Sequence, residues 1–167
     1  LQDVAVVQQG DAFASGISLY AVADGHNGKA AARHTSLMLP MELDQQLGGG
    51  PTSDAAVLQA LARTFVATDD AICRHFFQSG EQGMACSGWL APAPACTRAG
   101  AGLSAVAHCH APPCLNPPGL LPAHLAAGCT LTAAVVSGDT LTVANVGDSM
   151  AILDTGAEVV ELTAGEH

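Results

Sequence analysis

Positive charge is scarce in this sequence. Only five of its 167 residues are Lys or Arg, against fifteen Asp or Glu, for a formal net charge of −10. A nucleic-acid surface is built from clustered Lys and Arg, so no nucleic-acid partner is expected. Charged residues of both signs make up 12% of the chain, about half the usual share. No apolar run approaches the ~18 residues of a membrane span, so no membrane partner is expected. No signal-peptide pattern is visible, and the expected compartment is soluble and intracellular, cytoplasm or nucleus. A disulfide framework is also missing. Cys73, Cys86, Cys96, Cys109, Cys114 and Cys129 are irregularly spaced, which fits reduced thiols.

What is present falls into three parts. Residues 1–77 have α/β patterning. Val4 to Val7 and Ile17 to Ala23 are strand candidates. Lys29 to Leu39 predicts a helix that Pro40 breaks or kinks. Gly48-Gly49-Gly50-Pro51 is a breaker, and Ser53 is an N-cap with Asp54 in the first turn. Leu58, Leu61, Phe65, Ile72 and Phe76 then recur at helical spacing, predicting a long amphipathic helix to about Phe77.

Residues 78–126 differ in kind. Seven of the nine prolines lie between Pro92 and Pro122, and Arg98 is the only Lys, Arg, Asp or Glu between Glu81 and Asp139. No helical or strand period is visible. An unstructured loop of ~45 residues is uncommon inside a compact domain, so an insertion of poor order is expected. Residues 127–167 return to patterned sequence: Cys129 to Val136, Thr140 to Val146, Met150 to Leu153 and Glu158 to Leu162, separated by turn residues. They predict an antiparallel β-meander.

Two stretches carry chemistry. In Val22-Ala23-Asp24-Gly25-His26-Asn27-Gly28 and Ala144-Asn145-Val146-Gly147-Asp148-Ser149, an Asp meets glycine where an apolar, strand-like run ends. Such an Asp can aim its carboxylate from a rigid sheet edge, and the glycine lets a ligand approach the backbone. His26 adds a group that can hold or release a proton near neutral pH. The pattern suits metal-assisted hydrolysis. Asp24-Gly25 and Asn27-Gly28 are equally turn dipeptides, and Asp148 alone would be a turn residue. His108-Cys109-His110 with Cys114 suggests zinc, but the spacing is not that of a standard zinc site. The proline pairs offer polyproline turns to a partner. His34, His75 and His124 carry no constellation. Met38 and Met41 read as packing residues.

These blocks, taken in order, resemble the metal-dependent protein phosphatase family (PPM, type 2C). Gln2-Asp3 resembles the family's opening acidic motif. Leu19 to Gly28 resembles its Asp-Gly-His-Gly-Gly signature. Gly128 to Ala133 resembles its Gly-Ser-Thr-Ala strand. Val143 to Ser149 resembles its Ala-Asn-x-Gly-Asp-Ser-Arg block, and Leu162 to His167 its Leu-Thr-x-Asp-His end. The resemblance implies an α+β fold: a partial, truncated α-β-β-α sandwich of antiparallel sheets flanked by helices. It implies a serine/threonine phosphatase acting on phosphorylated protein substrates, with two Mg²⁺ or Mn²⁺ ions and a weaker third. Asp24 would bridge the two metals and Gly25 would give one its backbone carbonyl. Asp148 would ligate the third, and Asp3 would orient metal-bound water. His26, catalytic together with Asp24, would protonate the leaving alcohol.

The sequence also departs from that pattern. Asn27 replaces a glycine, Met150 an arginine and Glu166 an aspartate. The family's phosphate-binding arginine and its later Asp motifs fall outside residues 1–167, so an incomplete fragment of low activity is expected. The rival expectation is a pseudophosphatase or non-catalytic fragment acting as a binding module.

Overall fold

Alternating small and branched apolar residues build the first hairpin. β1 (Val4–Gln8) pairs antiparallel with β2 (Ser18–Ala23), with Val6 opposite Ala21 and Val4 opposite Ala23. A short 3-10 turn at Gly10–Ala12 lies in the connection. The computed structural model describes residues 2–50, 53–79, 96–99, 103–108 and 128–163. On β2, Leu19, Ala21 and Ala23 are buried while Tyr20 and Val22 are exposed, the two-residue period of a strand with one covered face. β3 (Gly25–His26) follows at once and leaves this sheet.

Two helices come next. α1 (Ala30–Leu47) extends beyond the expected end at Leu39 and runs through Pro40. Pro40 has no N–H to donate, so one helical hydrogen bond is lost. Leu39, Pro40 and Leu43 are all buried, however, and packing of that face carries the helix across the gap. It stops at Gly48, left-handed at φ 67°, whose N–H donates to the Asp44 carbonyl. α2 (Asp54–Ser79) starts as expected: Ser53 Oγ accepts the Ala56 N–H at 3.3 Å. Its buried face is Val57, Ala60, Leu61, Thr64, Phe65 and Thr68; Leu58 is half-buried beside it.

The region expected to lack regular structure contains two strands. β4 (Cys96–Ala99) and β5 (Leu103–His108) form an antiparallel pair. The proline-rich composition hid them, because Leu103 to His108 contains neither proline nor glycine to forbid pairing. The rest of the expected insertion lies outside the described residues.

β6 (Gly128–Cys129) pairs antiparallel with β3, placing Gly25 opposite Cys129. β7 (Leu131–Ser137) and β8 (Thr140–Val146) form a hairpin, with Gly138 at φ 56° in the first turn position. β7 lies against β2, and β8 takes β5 as a parallel neighbour. The six-stranded order is β1-β2-β7-β8-β5-β4. β9 (Ile152–Asp154) and β10 (Val159–Glu161) pair with each other in a separate two-stranded sheet, so the expected meander is interrupted after β8. The Gly147-Asp148 turn leads the chain out of the large sheet.

One apolar cluster joins sheet to helices. It includes Val6, Leu19, Ala21, Leu131, Ala133, Val135 and Ala144 from the strands, Leu39 and Leu43 from α1, and Val57, Leu61 and Phe65 from α2. Both helices therefore pack on the same face, and the alanines on the strands let them approach closely. Met41, expected to pack, is instead exposed on α1. This mixed α/β architecture, with two helices and sheets that are antiparallel except where β5 meets β8, agrees with a partial α-β-β-α sandwich. No helix among the described residues is long and apolar enough to cross a membrane.

Candidate functional site

The ends of β1, β2 and β8 bring the acidic residues together. Asp24 follows the last residue of β2, and Asp3 precedes the first residue of β1. Since Val4 is paired with Ala23, the next step of the antiparallel register sets Asp3 beside Asp24. Their carboxyl groups share a hydrogen bond, the largest cause of a raised Asp24 pKa. The negative charge of Asp3 adds to it, then lost hydration and the charge of Asp148, while His26 opposes it. Asp3, Asp148 and His26 are thus near enough for Asp24 to sense each of them, and all four residues are exposed. An exposed carboxyl that still retains its proton more tightly than usual marks a concentration of negative charge.

Glycine is required at the centre of this edge. Gly25 is buried, and a Cβ there would stand 2.9 Å from the Gly28 carbonyl oxygen and 3.0 Å from that of Gln2. Both neighbours are backbone, so neither can swing aside. Asn27 is left-handed at φ 56°, a conformation that Asn tolerates in place of glycine. Gly28 then donates its N–H to Gln2 Oε1 at 3.0 Å. Gln2 thereby ties the start of β1 to the end of the Asp24–Gly28 loop.

The Asp148 turn is held by hydroxyl and amide groups. Thr132 Oγ1 donates to Asn145 Oδ1 at 2.6 Å, and Asn145 Nδ2 donates to the Gly147 carbonyl at 3.2 Å. Thr130 Oγ1 and Ser149 Oγ lie 2.7 Å apart in a further hydrogen bond. Gly147, at φ 103°, is pressed against Thr130: a Cβ on Gly147 would come within 2.6 Å of the threonine methyl. Beneath the site, Cys129 is a free thiol that shares a 3.2 Å hydrogen bond with Thr35 Oγ1. Burial pushes its pKa up, with the Thr35 bond opposing.

Sequence patterning singled out Asp24, Gly25, His26 and Asp148, the family resemblance added Asp3, and the structure brings these five to one edge. It gave no role to Thr130, Thr132 or Asn145, and none to the Gln2 side chain. The available signal was the repeat of hydroxyl residues at 130 and 132, one strand period apart, beside the Asn-x-Gly-Asp turn. His34 and His75, which carried no constellation in sequence, stack across α1 and α2 with ring centroids 4.3 Å apart. Burial first, and then His75, pushes the His34 pKa down. The possible zinc cluster around His110 and Cys114, the proline pairs and Glu166 lie outside the described residues.

The donor set fits one part of a divalent-cation site. Crowded carboxylates with a backbone glycine beside them suit a hard cation, which takes oxygen ligands. Among the described residues, however, no group of three or more His, Cys, Asp or Glu side chains is placed to hold a metal ion. The edge supplies a carboxylate pair with a third carboxylate nearby, fewer side chains than a closed site would use.

Known proteins resemble parts of this chain. The family described as protein phosphatase 2C matches residues 117–167, starting within the expected insertion. Probable protein phosphatase 2C 5 of Arabidopsis thaliana is 29% identical over 153 residues, which is 92% of this chain and 25% of that protein. Probable protein phosphatase 1N of Homo sapiens is 42% identical over 55 residues, 33% of this chain and 13% of that protein. The chain therefore spans a quarter or less of the length of these relatives. The chain is thus similar, over residues 117–167 by the family description and over most of its length by one relative, to proteins of the protein phosphatase 2C family, which is generally metal-dependent.

Proposed function

We propose that this chain carries part of the active site of a metal-dependent protein serine/threonine phosphatase. The substrates would be phosphoserine and phosphothreonine in proteins. The observation that supports this reading best is the meeting of Asp3, Asp24, Asp148 and His26 at one sheet edge, with the Asp24 carboxyl raised by its acidic neighbours. Mg²⁺ or Mn²⁺, when bound, would supply the positive charge that acidifies water and offsets phosphoryl charge. Asp24 and the Gly25 carbonyl would hold two such ions, and Asp148 a third. Asp3, beside Asp24, would orient metal-bound water. His26, exposed beside Asp24, would donate a proton to the departing seryl or threonyl oxygen. The rigid strand ends would set these groups in place before substrate arrives, and positioning is most of phosphoryl-transfer catalysis.

Among the described residues side-chain donors are few, and this favours a second reading, that of a binding module without turnover. Hydrolysis of a phosphothreonine peptide with Mn²⁺ separates the two. The 167-residue chain is expected to show little activity. A chain extended to the full family domain is expected to show EDTA-sensitive turnover that Asp24→Asn abolishes. His26→Ala should slow it most for substrates with poor leaving groups, since a good leaving group needs no proton. Turnover in the extended chain that survives Asp24→Asn would overturn the phosphatase assignment of this edge.

A further inference from the structure

Thr130 is bonded to both acidic segments. Its backbone N–H donates to the Asp24 carbonyl at 2.9 Å. Its side-chain oxygen bonds Ser149 Oγ at 2.7 Å, next to Asp148 in the chain. Its methyl fills the space that a Cβ on Gly147 would need, so the residue on the other side of Asp148 is fitted to it as well. Asp148 is therefore held from both flanks by a residue that also holds Asp24. Thr130 sits between β6 and β7, where the chain passes from the small sheet to the large one, and so has fixed strands on either side.

We infer that Thr130 is a positioning residue that sets the spacing between Asp24 and Asp148. It acts through its hydroxyl on the Asp148 turn and through its backbone on the Asp24 loop. The spacing of two carboxylates decides whether divalent cations can be held by both at once. Thr130 touches no reacting atom in this account. Its importance for cation binding rests on the phosphatase reading above, whereas its coupling of the two segments does not.

Substitution separates the two atoms of its side chain that matter. Thr130→Val keeps the shape and removes the hydroxyl; Thr130→Ser keeps the hydroxyl and removes the methyl. In the ¹⁵N-labelled 167-residue chain, amide exchange without metal reports the coupling directly. In Thr130→Val the Asp148 and Ser149 amides should exchange about fivefold faster, the effect of losing one hydrogen bond of typical net strength. Thr130→Ser should restore the slow rate. Ser149→Ala should copy the valine variant from the other side, and it decides the matter if Thr130→Val fails to fold. Mn²⁺ titration then reads the functional consequence. In the parent chain, Mn²⁺ should broaden the amides of Gly25–His26 and of Asp148–Ser149 over one concentration range. In Thr130→Val the second set should need about fivefold more Mn²⁺, by the same hydrogen-bond measure.

Unchanged exchange in both Thr130→Val and Ser149→Ala would overturn the positioning role. So would a serine variant as fast as the valine variant. Absence of broadening in the parent chain, or broadening indifferent to Asp24→Asn, would instead overturn the cation reading. The exchange rates would then still decide Thr130.

Discussion

Asp24 carries the electrostatic consequence of the acidic edge. Its carboxyl is raised above the ordinary value by the Asp3 hydrogen bond and by neighbouring negative charge, so the folded chain holds that proton more tightly than the unfolded chain. The sign follows: this group favours the fold at acid pH and loses that contribution as pH rises through its raised pKa. Asp24→Asn cannot ionise, and its amide can still donate to Asp3. In EDTA, Asp24→Asn should therefore melt above the parent chain at pH 7, and the gap should close as pH falls toward the ordinary carboxylate value of 3.8. A parent chain that melts at or above Asp24→Asn at pH 7 would contradict this. Asp24, Gly25 and Asp148 were legible in sequence because an Asp-Gly or Gly-Asp pair interrupts an apolar run, a purely local signal. The Gln2 and Thr130 contacts were not. Gln2 bonds a residue 26 positions away and Thr130 one 19 positions away, through strand ends that only the folded sheet brings together.

Elements were readable where side-chain period and chain chemistry agreed. β2 shows its alternation openly, and α2 announces itself with Ser53 and a repeating apolar stripe. The α1 terminus was misread because Pro40 is a strong local breaker, while burial of Leu39, Pro40 and Leu43 depends on the sheet beneath. β5 was missed for the converse reason. Its pairing comes from β8, and its own flanks are rich in proline. The Ser53 cap offers a clean measurement, since the residue is exposed and its bond to Ala56 is local. Ser53→Ala should lower stability by about 1 kcal/mol, as loss of a helix N-cap typically does. Urea denaturation would show it as a lower midpoint with an unchanged slope. An unchanged midpoint would mean that α2 is fixed by packing of its Val57–Leu61–Phe65 face alone.

At the scale of the whole molecule, the sheet rather than the helices decides what residues 82–122 contribute. From sequence, deleting them should leave the flanks intact, because α2 and β7 carry their own apolar faces. The topology alters that expectation. β5 lies parallel to β8, with Val106, Ala107 and His108 opposite Val143, Ala144 and Asn145. Removing it turns β8 from an inner strand into an edge, just where Asn145 supports the Asp148 turn. The described core joins β1, β2, β7 and β8 to both helices, so the deleted chain should still fold around that cluster. Freed backbone groups on β8 would return to water or pair with another chain. A loss of roughly 1–4 kcal/mol is expected for a few ladder hydrogen bonds, together with self-association that grows with concentration. Urea denaturation and sedimentation velocity would measure both. An unchanged midpoint in a monomeric deletion variant would show that β5 adds nothing to the sheet. Complete loss of the folded baseline would show that the segment belongs to the core.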